Sequence, residues 1–333
     1  MQWTIQVAHS DLSFPCGPEE SVLEAAQRAG FEIPYSCRRG VCITCQGKVL
    51  AGSIEESGSI HSAADRGPFD SLFCSARPRS NITISPRRIS RPLGLGQPRE
   101  VTARVFRKQQ VAPTVIRLHL RFPIGVRVAF RAGQYMDLLL PDGARRSYSM
   151  ANSPGESDGV QMHIRLHPGG AFSDRLLGAL QAGDSLRLSM PYGDVQLDGE
   201  DSRPLLLLAT GTGFAPIASI IEEAIRRRWT RPIMLYRGAR QAEDLYLPEL
   251  PARWARRLRN FRYEPILSRP DAAWAGRSGR VQAAAAADRP DMSGVQVYAS
   301  GSPAMVAASR ETFTKLHGLP EGDFFADAFL PSA

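Results

Sequence analysis

Four cysteines are spaced so that their sulfurs could share one inorganic centre. Cys37, Cys42 and Cys45 follow the pattern C-x4-C-x2-C within CRRGVCITC, and 28 residues separate Cys45 from Cys74. Three chemistries compete for such a set: a structural zinc, a disulfide framework and an iron–sulfur cluster. Zinc commonly takes two short-spaced knuckles; Cys42 and Cys45 make one, but Cys37 and Cys74 make no second. The odd total of five cysteines and the length of 333 residues disfavour a disulfide framework. So does an N-terminus, MQWTIQVAHSDLSF, without the basic start and apolar run of a signal peptide. The spacing is that of a 2Fe–2S ligand set, with three thiolates on one tight loop and a distant fourth closing the site. Gly40 supplies the backbone freedom that wrapping a cluster requires. Cys16 is left over and reads as a structural thiol.

A second constellation is Arg146-Ser147-Tyr148-Ser149, preceded by Gly133-Gln134-Tyr135. A tyrosine ring can lie against a flat isoalloxazine, an arginine suits a pyrophosphate, and a serine hydroxyl can bond a ring nitrogen. Further on come His163-Ile164-Arg165 and Gly169-Gly170-Ala171-Phe172-Ser173, ahead of a short helix expected over 174–180. Amides at that helix start favour a phosphate. Four residues of R-x-Y-S alone would equally describe an ordinary strand with one stacked tyrosine; the context gives them weight.

A third is Gly211-Thr212-Gly213-Phe214-Ala215-Pro216, directly after the apolar run LLLLA. Glycines admit a phosphate close to the backbone, and a helix start adds amides and a positive dipole. Pro216 suits the first helical position. The third glycine of the common dinucleotide fingerprint is missing. Late in the chain, Ser300-Gly301-Ser302-Pro303 repeats the strand-to-helix turn, and Phe325-Ala326-Asp327-Ala328-Phe329 closes the chain. Between the Gly211–Pro216 loop and Ser300, Arg240 and Asp244 follow a second strand. A carboxylate there suits a free ribose 2′-hydroxyl, an arginine a 2′-phosphate.

The elements that must position these residues fall into three segments. Before residue 88, a hairpin over 3–7 and 12–14 is expected, with a helix over 22–29 started by the capping box Ser21…Glu24 and short strands at 47–50 and 82–84. That is a small β-grasp. Residues 86–97, PRRISRPLGLGQ, lack hydrophobic period and read as a linker. From 99 to 200, strands at 115–122, 135–140, 145–150, 160–166 and 186–190 are separated by Gly/Pro turns, as in an antiparallel β-barrel. From 201 to 333, strands at 205–209, 233–236, 261–266 and 295–299 alternate with helices at 216–228, 248–258 and 303–316, a doubly wound α/β pattern. The Ala283–Ala287 run reads as helix. The expectation is a multidomain α+β chain: 1–88, a linker at 89–98, 99–200 and 201–333.

Composition excludes other classes. The net charge of +8 comes from arginine, lysine appearing only at 48, 108 and 315. No aromatic–basic motif accompanies the charge, so nucleic-acid binding is not expected. No apolar run is long enough for a bilayer, and a cytoplasmic protein without membrane association is expected. The six histidines, His9, His61, His119, His163, His167 and His317, form no evident iron triad, and no C-x-H pair for a Rieske centre occurs.

Taken in order, the three segments resemble a plant-type 2Fe–2S ferredoxin domain, then the FAD and nicotinamide domains of the ferredoxin–NADP reductase superfamily. That order is similar to the reductase components of bacterial aromatic ring-hydroxylating dioxygenases, most of all the terephthalate and aromatic-carboxylate type. The resemblance implies 2Fe–2S, FAD and NADH as cofactors, with NADPH as the alternative, and a terminal Rieske oxygenase as partner. It implies Tyr148 stacked on the flavin, Ser149 near its reactive nitrogen, Arg146 with Gly170–Ser173 on the pyrophosphate, Ser300 beside the nicotinamide and Phe329 shielding the flavin. His163, Arg165, Gly169, Gly301 and Pro303 complete the expected binding set. Two residues depart from the pattern: Ile43 where glycine is common, and Ser300 where many relatives carry cysteine. The alternative acceptor is a diiron monooxygenase or a deoxysugar dehydratase, which the domain order does not separate from the oxygenase. A zinc- and nucleotide-binding regulator is the non-enzymatic alternative.

Overall fold

A computed structural model describes residues 2–40, 42–91, 98–167, 177–193, 197 and 199–329. The chain forms two compact units, Met1–Leu95 and Gly96–Ala333.

The first unit is built on the expected hairpin, β1 (Trp3–Val7) with β2 (Ser13–Cys16), and helix α1 (Val22–Arg28). β3 (Gln46–Ala51), β6 (Phe69–Leu72) and β8 (Ile82–Pro86) complete a five-stranded mixed sheet in the order β2-β1-β8-β3-β6. A second, three-stranded sheet of β4 (Ser53–Glu56), β5 (Ser59–Ser62) and β7 (Arg77–Pro78) was not legible in the sequence. Its strands are four residues or fewer, too short to show alternation, and Ser57–Gly58 turns between two of them with φ of 53° and 78°. A single turn, α2 (Ala63–Arg66), precedes β6. The predicted capping box is present: Ser21 Oγ accepts from the Glu24 amide at 3.2 Å and the Ser21 amide donates to the Glu24 carboxylate at 2.9 Å. Val22, Leu23, Ala25 and Ala26 bury the apolar face of α1.

The second unit opens with an antiparallel barrel: β9 (Arg99–Ala112), β10 (Val115–Arg121), β11 (Tyr135–Leu139), β12 (Arg145–Ser149), β13 (Gly159–Arg165) and β14 (Ser185–Tyr192). They lie in the order β12-β11-β14-β9-β10-β13, and the Ala151 amide donates to the Gln161 carbonyl at 2.8 Å beside the seam. Met136, Leu138, Met150, Leu118, Leu120, Met162 and Leu188 fill it. The long strand β9 was missed because its RKQQ stretch is polar on consecutive positions. Of the helix expected over 174–180, only the turn α3 (Leu177–Ala179) falls within the described residues.

The rest is a six-stranded parallel sheet in the order β18-β17-β16-β15-β19-β20. Its strands are β15 (Leu205–Thr210), β16 (Ile233–Ala239), β17 (Phe261–Leu267), β18 (Arg277–Ser278), β19 (Gln296–Gly301) and β20 (Phe324–Ala328). The helices are α4 (Phe214–Arg226), α5 (Glu249–Arg257), α6 (Val281–Asp288) and α7 (Pro303–Glu311). Leu205 to Ala209 are all buried, as a central parallel strand covered on both faces requires. Phe214, Ile217, Ile221 and Trp254 cover one face; on the other, Tyr236 bonds Asp288 of α6 at 2.7 Å. Two helix boundaries differ from expectation. α4 begins at Phe214, continuing a 3-10 turn over Gly211–Gly213, so Pro216 is its third residue. Proline is tolerated there because first-turn amides have no intrahelical acceptor. The last helix ends at Glu311 and loosens into one π-turn, Thr312–Leu316. Among the described residues no helix is long and apolar enough to cross a membrane.

Candidate cofactor sites

The cysteine loop is wound by three residues in left-handed conformation, Arg38, Gly40 and Ile43, with φ of 53°, 69° and 51°. Amides are thereby turned onto sulfur. The Arg39 and Cys42 amides approach Cys37 Sγ at 3.4 and 3.3 Å, the Cys37 amide approaches Cys42 Sγ at 3.4 Å, and the Gly40 amide bonds Cys74. Ile43 is a β-branched residue where the chain demands φ above zero, a strained choice at the position the sequence marked as unusual.

The four thiols fall into two pairs. The bond to Cys37, then burial, pushes the Cys42 thiol up, and the bond to Cys74, then burial, does the same to Cys45. The bond from Cys45 in turn holds Cys74 below the usual thiol range. Among the described residues no three His, Cys, Asp or Glu side chains converge as a single-ion site. Two sulfur pairs ringed by amide donors suit a two-iron cluster with two thiolates on each iron, and do not suit one tetrahedral zinc. Cys16 stands apart: burial, then the Glu20 charge, pushes its thiol up to about 12. It approaches the Glu20 carbonyl at 3.4 Å, as an inert structural thiol would.

Two supports of this site escaped the sequence reading. The first amides of α1 donate to the segment carrying Cys74, Leu23 to the Phe73 carbonyl at 2.8 Å and Val22 to Ala76 at 2.9 Å. The Glu56 carboxylate accepts from the Leu72 amide and from the Ser71 and Ser75 hydroxyls at 2.9–3.0 Å. Only long-range pairing makes Glu56 more than a surface carboxylate.

In the second unit, β12 places alternate side chains on opposite faces. Ser147 donates to Asp137 at 2.7 Å across the hairpin. Tyr148 is half-buried against the barrel core, and that burial raises its hydroxyl pKa. Arg146 is half-buried and donates to the Arg145 carbonyl at 3.1 Å. Ser149 is buried and donates to Asp327 Oδ2 at 2.9 Å. Asp327 of β20 lies in register with Ser300 of β19, whose fully buried hydroxyl has no hydrogen-bond partner. Ser149, Ser300 and Asp327, far apart in sequence, thus share one neighbourhood; Asp327 is the residue that motif reading passed over. Phe329 stands half-buried just beyond β20, its amide bonded to the Gly301 carbonyl at 2.8 Å. Gly169, Gly170, Phe172 and Ser173 lie outside the described residues.

The glycine loop is shaped by backbone crossing backbone. A Cβ on Gly213 would stand 2.2 Å from the Ser300 carbonyl oxygen, and one on Gly301 2.1 Å from Thr210 Oγ1. Gly211 adopts φ of 54°, and Arg165 Nη1 would stand 3.3 Å from a Cβ there. Thr212 lies between the two glycines in the same turn. α4 then starts with no side chain capping its amides. Pro303 opens α7, with the Ser302 hydroxyl accepting from the Met305 amide at 3.3 Å. Phe214 is fully buried and supports the loop from beneath. His163 is buried too, its Nδ1 on the Tyr246 hydroxyl at 3.0 Å. Arg240 is exposed after β16, and Asp244 accepts from the Gln241 amide at 3.4 Å. An uncapped helix start behind close-packed glycines, with Arg165 over it, fits a phosphate-bearing dinucleotide.

Comparison with known proteins agrees with this reading. Residues 5–79 match the 2Fe-2S iron-sulfur cluster binding domain, 102–197 the oxidoreductase FAD-binding domain and 207–311 the oxidoreductase NAD-binding domain. The chain is 40% identical to the terephthalate 1,2-dioxygenase reductase component 2 of Comamonas sp, over 99% of this chain and 98% of that one. It is 38% identical to component 1, over 100% and 98%. The crystal structure of the Amycolatopsis cytochrome P450 reductase GcoB superimposes with a TM-score of 0.79 at 33% identity, covering 99% of this chain and all of that one. The chain therefore belongs to the family of dioxygenase reductase components, oxidoreductases in which a 2Fe–2S ferredoxin domain precedes FAD- and NAD-binding domains.

Proposed function

We propose that this protein is the reductase of a two-component dioxygenase, drawing on NADH and delivering electrons to a terminal Rieske oxygenase that acts on an aromatic carboxylate of the terephthalate kind. When bound, the nicotinamide supplies a hydride, the flavin converts the electron pair into single electrons, and the cluster carries them one at a time. The protein's share is placement and protection. In this reading the four domain blocks are 1–88, the linker 89–98, 99–200 and 201–333. Arg146 and the Gly169, Gly170, Phe172 and Ser173 segment hold the flavin pyrophosphate, and Tyr148 lies on its ring. Gly211, Gly213, Gly301 and Pro303 hold the dinucleotide, and Phe329 covers the exposed ring face. Asp244 receives the adenosine ribose and favours NADH; Arg240 stands beside it.

The observation that carries the reading is the Ser149–Asp327 hydrogen bond beside Ser300. It joins the barrel strand expected under the flavin to the sheet edge expected under the nicotinamide. With its own proton given to Asp327, the Ser149 oxygen is left as an acceptor at the flavin's reactive edge, and the burial of all three excludes water.

The test is an anaerobic titration of reconstituted protein with NADH. Stoichiometric loss of the flavin bands and of the iron–sulfur absorption is expected. Protein with full flavin and iron content that keeps its colour under excess NADH would sink the reading.

A further inference from the structure

Arg237 is the fifth residue of β16 and only 2% exposed. Its guanidinium lies flat on Phe214, 3.6 Å from the ring centroid, and 4.7 Å from that of Tyr246. The Tyr263 side chain bonds the guanidinium, but neither Nη1 nor Nη2 meets a carboxylate or a carbonyl. Ring faces and the nearby Tyr246 and Tyr263 hydroxyls are what meet the charge; the one carboxylate among its main electrostatic neighbours, Glu249, is exposed at the head of α5. Burying a guanidinium without an anion is disfavoured, and arginine stays charged because its pKa is far above neutrality. Other cations are close. Arg117 acts with Arg237 on His163, and Arg165 acts with Arg237 on Tyr246. Arg165 also reaches over Gly211. Arg165 at Gly211 and Arg237 on Phe214 therefore flank the loop that leads into the uncapped start of α4, and Arg117 adds its charge at His163. Phe214, on which Arg237 stacks, is the first residue of that helix.

We infer that Arg237 is a buried positioning charge for dinucleotide binding: sealed behind Phe214, it draws the cofactor's phosphates to the start of α4 without touching them. The inference rests on the reading of Gly211–Gly213 as the dinucleotide site. The low-dielectric core between Arg237 and the helix start screens the charge less than water does, so the anion that is absent from the core is supplied by the ligand's pyrophosphate. Arg165 contributes at the surface, where salt screens it.

Arg237→Met, of similar length and apolar, removes the charge and keeps the packing on Phe214. Calorimetric titration of the flavin- and cluster-loaded protein with ADP-ribose and with adenosine separates the contributions. ADP-ribose is expected to bind Arg237→Met about tenfold more weakly than the parent, with adenosine changed less than twofold. Arg237→Lys, which keeps a charge, is expected to retain ADP-ribose affinity within about threefold. The thermal midpoint of Arg237→Met should equal or exceed the parent's. Equal losses for both ligands, no loss for either, or a variant that cannot fold would each overturn the inference. Failure of the parent itself to bind ADP-ribose would instead overturn the reading of the loop as a dinucleotide site.

Discussion

At the scale of single residues, His163 carries the clearest electrostatic signature. Burial, reinforced by the Arg237 and Arg117 charges, holds its imidazole down to about 3 against an ordinary value of 6.5. The ring is neutral in the folded protein and bonded to Tyr246. The unfolded chain takes up a proton as pH falls through 6.5, and the folded chain does not until about 3. Stability is therefore full above 6.5 and is lost progressively below it, at up to about 1.4 kcal/mol per pH unit. Denaturant unfolding of the second unit should lose about 2 kcal/mol between pH 8 and pH 5 through this residue. The His163→Gln variant should lack that increment, since other titrating groups contribute equally to both proteins; parallel pH profiles for the two would refute the assignment. The ring also illustrates a limit of motif reading. His163 sits in the expected H-x-R segment, yet its side chain faces Tyr246 and Phe214 in the interior.

At the scale of elements, the capping box of α1 does more than start a helix. Because Val22 and Leu23 donate to carbonyls flanking Cys74, fraying at Ser21 would loosen the fourth ligand of the cluster. Ser21→Ala should destabilise the first unit by about 1 kcal/mol. In a thermal scan, the iron–sulfur absorption should bleach at a lower temperature while flavin release is unchanged. Coincident shifts in both signals, or in neither, would show that α1 does not support the site. Elsewhere the helical and parallel-strand pattern was readable, because LLLLA and the alternating helices are long and strongly periodic. The short strands β4, β5 and β7 and the polar strand β9 were not, because their pairing is decided by partners distant in sequence.

At the scale of the molecule, the barrel and the parallel sheet form one compact unit. Ser219 donates to the Asn152 carbonyl at 2.6 Å, Ser153 donates to the buried Glu223 at 2.8 Å, and Tyr298 reaches the Gly133 carbonyl at 3.5 Å. The unit holding the flavin and nicotinamide sites is thus tied together independently of the cysteine-bearing unit. Hydride chemistry and single-electron exit should separate accordingly. In Cys42→Ser, NADH-driven reduction of a two-electron dye should persist within about twofold of the parent, while reduction of cytochrome c falls at least tenfold. Survival of both activities would mean that electrons do not leave through the cluster.

The sequence by itself determined the cysteine spacing, the two glycine turns, the order of three domains and the capping box, because each is local: a few residues at fixed separation impose the chemistry or the backbone conformation. It also marked Ile43 as unusual. Only the tertiary structure paired the thiols two by two, brought Asp327 to Ser149 and Ser300, recruited Glu56 to the Cys74 turn, and set the charge of Arg237 behind Phe214. Apart from the Cys37–Cys42 pair, five residues apart, those contacts join residues from 16 to 178 positions apart, and no local preference encodes them. They follow from which strands lie side by side, and that is settled by burying the whole core at once.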